Sequence, residues 1–261
     1  QTRTGPLKWV YKALTLGSSN VSEGALRLDD KVGYIVTLIG VPSAFLLHGY
    51  VGFIFGSVKA NAWWSTPLMP IVFLFSAMVS GIAAVMLIYM AVTWLQKRRL
   101  DMLCLDTIAS YLFYVFLIDF SLEMLDLIHR IYEADESFRS LDFMVHTRLY
   151  FSQVVLQICL GTLVPLAILG LAQVIKFGEK TRRVLYAAAG SLTLIGIFAM
   201  RWNVVIGGQL FSKSYLGYTT YKLAFATREG LLASIFLMLL PFLILWVLVK
   251  LLPPFEERPS T

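Results

Sequence analysis

Asp119, Glu123 and Asp126 fall at i, i+4 and i+7 in YLFYVFLIDFSLEMLDL, so on a helix they stand one above another on a single face. Three ionised carboxylates along about 10 Å of helix repel one another strongly in a poor dielectric. Either some of them keep a proton, or a cation such as Arg201 pairs with them. His48, in LLHGYVGFIFG, can donate to a carbonyl oxygen and exchange a proton near neutral pH. Tyr50 and Lys59 follow it, and RWNVVIGGQ supplies Arg201, Asn203 and Gln209. Together these groups could hydrogen-bond a carbonyl-bearing molecule and carry protons to and from it.

The elements that hold them are apolar. Of 261 residues, 58% are hydrophobic and only 15% charged. Mean hydropathy is +0.73, well above a soluble domain. Runs of membrane-spanning length recur at 32–55, 67–95, 105–128, 150–175, 184–208 and 230–252. The expected fold is an all-α integral membrane protein, a polytopic bundle of six transmembrane helices. Residues 1–30 are expected to form a surface helix, over 7–16, and a linker. Residues 31–252 form the bundle, and 253–261 a cytoplasmic tail. Pro67 and Pro70 are expected in the first turn of the second span, while Pro165 and Pro241 should kink the fourth and sixth.

The net charge of +6 does not form a basic face, so nucleic acid is set aside. The cations cluster in two short loops, LQKRRLDMLC and KFGEKTRR, which marks that side as cytoplasmic and puts both termini inside. The loops 129–149 and 209–229 then face outward. With that topology His48, the carboxylate face, Gln153, Gln157, Arg201, Asn203 and Gln209 all fall in the outer half of the membrane. Ionisable groups at such depth are expensive and point to function. Each has a plainer reading as well. His48 could bond a neighbouring helix, Arg201 could clamp two helices, and Lys59, Trp63 and Trp64 could be interfacial anchors.

A histidine, carboxylates, an arginine and tyrosines at one membrane face suit a quinone. Its carbonyl oxygens need donors, and its reduction takes two electrons and two protons. The two cysteines, Cys104 and Cys159, make no CxxC or Cys/His cluster, so the chain holds no iron–sulfur or zinc site of its own. With three histidines at most one haem is conceivable, and none is expected. Electrons must therefore come from a partner. A proton- or ion-coupled transporter and a purely structural anchor remain as alternatives.

HGYVGFIFGSVKANAWW, followed by STPLMP and later RWNVVIGGQ, resembles the NrfD/polysulphide reductase membrane-subunit family over residues 30–252. The likeness is to its longer branch, found in hydrogenase, sulfite-reductase-associated and alternative complex III membrane subunits. The resemblance implies a haem-free anchor subunit of a respiratory oxidoreductase in a bacterial or archaeal cytoplasmic membrane. Such a subunit binds menaquinone or ubiquinone, with or without proton translocation. It implies an iron–sulfur, ferredoxin-like partner on the outer face, with a molybdenum, nickel–iron or cytochrome subunit behind it. His48 becomes the foremost quinone-site residue, with Tyr50, Arg201, Asn203 and Gln209 beside it. Lys59 and the tryptophans would face the partner, and Asp119, Glu123 and Asp126 would pass protons. Members of the family have eight to ten spans, whereas six are read here, so part of the pocket could lie outside this chain.

Overall fold

A computed structural model describes residues 9, 13, 22–61, 63–133, 136–210, 219, 224, 225, 227 and 230–251. Among these, all regular structure is helical. Helix α1 spans Glu23–Gly56, α2 Met69–Leu95, α3 Met102–Glu133 and α4 Glu136–Thr147. Helix α5 covers Tyr150–Val174 and α6 Glu179–Gly207, followed by α7 at Leu231–Leu251. All but α4 contain a stretch long and apolar enough to cross a membrane, six in total, as the hydropathy pattern predicts.

The chain divides into two compact units, Gln1–Val204 and Val205–Thr261. In the first, α2 packs against α1, α3 and α6, while α5 packs against α3, α4 and α6. Small residues let these helices approach. A β-carbon on Gly161 of α5 would lie 2.2 Å from Gly196 Cα on α6, and one on Gly52 of α1 would lie 2.6 Å from Pro70 Cα on α2. The middle of the unit holds a buried apolar cluster. Val79, Ala83 and Met86 of α2 meet Leu105, Leu112 and Phe116 of α3, Leu169 of α5 and Ala189 of α6. A second cluster, Met69, Val72 and Phe73 against Met200 and Val204, lies towards one end. In the second unit, α7 has Pro241 within it, and Lys250 lies 4.0 Å from the Trp246 ring centre.

Three local features differ from the expectation. Helix α1 starts at Glu23, not residue 32, because Ser22 caps it by accepting from the Ala25 N–H and the following residues continue the helix. Part of the expected 129–149 loop is α4. Phe138, Leu141, Met144 and Val145 recur at helical spacing, and Met144 is fully buried. The first part of α5, Tyr150–Leu163, is wound as a π-helix and reverts to α at Val164–Val174. Pro165 stands at that junction. Pro70 occupies the first turn of α2, as expected, with Pro67 just before it. The expected surface helix at 7–16 and the 253–261 tail lie outside the described residues, Trp9 and Ala13 apart.

Candidate functional site

One end of the first unit gathers the start of α2, the end of α3, the start of α5 and the end of α6 around a cavity of about 340 Å³. That volume is at the lower end of the roughly 300–1,000 Å³ of small-molecule sites. Met69, Val72, Met200 and Val204 give it an apolar side. Glu123, Asp126, Gln153, Gln157 and Asn203 give it a polar one. Trp63 and Thr66, from the segment between α1 and α2, also line it, and so do Asp142 and His146 of α4.

The carboxylates of the polar side come from α3 and its amides from the two π-wound stretches. π winding stacks residues five apart, as in the hydroxyl of Thr162 donating to the Gln157 carbonyl over 2.9 Å. Ser152 and Gln157 are five apart and both hold Asn203. Ser152 Oγ donates to Asn203 Oδ1 (2.6 Å), and Asn203 Nδ2 donates to Gln157 Oε1 (2.9 Å). Asn203 opens the second π stretch, Asn203–Gly207. The Trp63 indole N–H donates to the Asn203 carbonyl (2.9 Å), and that of Trp64 to the Val204 carbonyl (2.6 Å). The tryptophan pair therefore ties the segment after α1 to α6.

The carboxylate face divides by depth. Asp126 accepts the Thr66 hydroxyl, and Glu123 lies beside the Gln157 amide. Asp119 is a turn deeper, 1% exposed, and does not line the cavity. Its Oδ1 finds no hydrogen-bond partner among the described residues, and its electrostatic neighbours are Glu123 and Arg201. Arg201 directs its hydrogen bonds to α2. Nη2 donates to the Phe73 carbonyl (3.0 Å) and to Ser76 Oγ (2.7 Å), while the guanidinium lies 4.0 Å from the Phe73 ring centre. A cation held against a ring and a buried hydroxyl clamps α6 to α2.

The other residues singled out in the sequence lie elsewhere. His48 and Tyr50 are exposed on α1, and His48 Nδ1 is 3.0 Å from the Ala44 carbonyl of its own helix. Lys59 is exposed just beyond α1. None of the three lines the cavity. Gln209 belongs to the second unit, where its carbonyl accepts the Thr219 hydroxyl (2.9 Å). Conversely, Thr66, Asp142 and His146 line the cavity without being singled out in the sequence, and so do Gln153 and Gln157, which the sequence places in the outer half without a role. The two glutamines are visible in the sequence as amides in an apolar run. The signal for Asp142 and His146 is the helical spacing of α4.

At the opposite end a second polar group joins helices. Arg182 pairs with Asp106, whose Oδ1 accepts the Tyr186 hydroxyl (2.9 Å), and Gln173 Nε2 donates to Ser110 Oγ (2.9 Å). The buried apolar cluster lies between the two ends.

The family model described as polysulphide reductase, NrfD, matches residues 11–213. A relative, one of the subunits of the selenate reductase of Mesobacillus selenatarsenatis, is 26% identical over 279 aligned residues, which cover 99% of this chain and 61% of that protein. The chain thus spans less than two thirds of that relative's length. No solved structure matches it.

Proposed function

This chain belongs to the polysulphide reductase, NrfD, family, and from that premise we propose that it is the membrane subunit of a respiratory oxidoreductase whose cavity takes the headgroup of a quinone or quinol. One observation carries the reading. A cavity with an apolar side and a wall of carboxylates and amides opens at the end of a membrane bundle. A quinone headgroup has the same division, a flat apolar ring with two polar oxygens. The name of the relative, a reductase subunit, supports the same role.

Quinol loses two electrons and two protons to become quinone, and the reverse reaction takes them up. Electrons pass one at a time to an iron–sulfur subunit, since two cysteines give this chain no cluster of its own. Behind that subunit stands a further catalytic subunit, as in other multi-subunit oxidoreductases. Protons pass between the headgroup and Glu123, then Asp126, then Asp142 and His146. His146 Nδ1 is 3.1 Å from Asp142 Oδ1, and these two side chains are 68% and 56% exposed. Glu123 thus touches the substrate and the α4 pair meets water. Asp119 extends the ladder inwards from Glu123. The cation-rich loops at the opposite end support a cavity on the outer side of the membrane.

Titrating the purified chain with a short-chain naphthoquinone, and following tryptophan fluorescence, tests the reading. Trp63 lines the cavity, so binding there quenches part of the emission and saturates, and Trp63→Phe removes that part. Quenching that rises linearly and equally in both proteins would overturn the reading.

A further inference from the structure

Ser152, Gln153 and Gln157 all stand on the π-wound start of α5, yet their side chains differ in commitment. Ser152 and Gln157 are both bonded to Asn203. Gln153 lines the same cavity, and its Oε1 is buried without a hydrogen-bond partner among the described residues. An unmatched buried carbonyl oxygen is costly, and native proteins seldom keep one without a use. Asn203 is already held by Ser152 and Gln157, and the Thr66 hydroxyl is given to Asp126, so neither is placed to satisfy it.

We propose that Gln153 is the residue that reads the headgroup oxygen, and that its uncommitted amide serves both redox forms. This rests on the quinone reading of the cavity. A primary amide carries an acceptor and two donors at one position, exchanged by rotation about a single bond. With quinol bound, Oε1 accepts from the ring hydroxyl. With quinone bound, the amide turns and Nε2 donates to the ring carbonyl. A fixed donor or a fixed acceptor would favour one redox form and hold it. A free amide contacts both, so electron transfer need not be followed by loss of the anchoring bond. Gln157 cannot take this role, since turning its amide would break its bond with Asn203.

The test uses the same fluorescence titration with a short-chain naphthoquinone and, under a reductant, the corresponding naphthoquinol. Gln153→Leu weakens both ligands, each by about tenfold, the effect of one neutral hydrogen bond. The melting temperature in detergent stays near that of the parent, because no bond among the described residues is lost. Gln153→Met, unbranched and of similar length, gives the same result should leucine disturb the π winding. Affinities within twofold of the parent for both ligands would overturn the proposal while leaving the cavity reading intact. Loss of affinity for one redox form alone would overturn the claim that the amide serves both. A parent protein that binds neither ligand would overturn the cavity reading, and this proposal with it.

Discussion

The side-chain amide of Asn203 donates to Gln157 Oε1 over 2.9 Å, and through it α6 is joined to α5 at the wall of the cavity. The same asparagine accepts from Ser152, and its carbonyl accepts from the Trp63 indole. At 2% exposure it is buried with both ends of its side chain bonded. One residue therefore fastens three segments of the chain around the proposed substrate.

Asn203→Ala strands the Gln157 carbonyl oxygen and leaves the Ser152 hydroxyl only the Leu149 carbonyl. Leaving a buried polar group unmatched costs about 1–3 kcal/mol. Thermal unfolding in detergent should therefore come several degrees earlier, with naphthoquinone binding weakened as well. A variant with unchanged melting and binding would show that this junction does not organise the wall.

Glycine sets the approach of α5 to α6, and a methyl group there has nowhere to go. Gly196→Ala would place its β-carbon 2.5 Å from Gly161 Cα, against backbone and not a flexible side chain. Overpacking of this kind costs about 1–3 kcal/mol. Gly40→Ala on α1, with no described residue within 4 Å of its β-carbon, is the matched control. The yield of folded protein by size-exclusion chromatography should fall for the first and hold for the second.

His48 and Glu123 separate the two places where a headgroup could sit. With the partner subunits present, Glu123→Gln should slow quinol-linked turnover by at least about tenfold, since a proton acceptor beside the headgroup is lost. His48→Ala, on the exposed face of α1, should leave turnover almost unchanged. The reverse pattern in the same steady-state assay would move the site to α1.

At the far end, Asp106 holds both Arg182 and the Tyr186 hydroxyl. Removing one partner of a partly buried pair leaves the other charge uncompensated. Asp106→Asn should lower the melting temperature without changing naphthoquinone affinity, because the cluster is remote from the cavity. A large change in affinity with no change in melting would contradict that separation.

The spans were legible because hydropathy and length alone determine them. Glu123, Asp126 and Asn203 were legible because a charge or amide inside a lipid-length run is costly enough to stand out. What could not be read was which way each side chain turns. His48 carries the most suggestive chemistry of any single residue in the chain, yet its rotation about α1 leaves it on an exposed face. The π winding was hidden too. It has no compositional signature, and it pairs Ser152 with Gln157, five apart, where α-helical spacing pairs residues three and four apart. Arg201 carries the charge that could offset the carboxylates, but its hydrogen bonds run to Phe73 and Ser76. Asp142 and His146 reach the cavity only because α4 is a helix, and its apolar spacing is short and diluted by polar residues.

The most direct test of the headgroup cavity is photolabelling with an azido-quinone in native-like lipid, followed by peptide mapping. Labels on residues 123–131, 142–158 or 200–204, displaced by excess unlabelled quinone, are the predicted result. Displaceable labels confined to residues 44–60, around His48 and Tyr50, would contradict it.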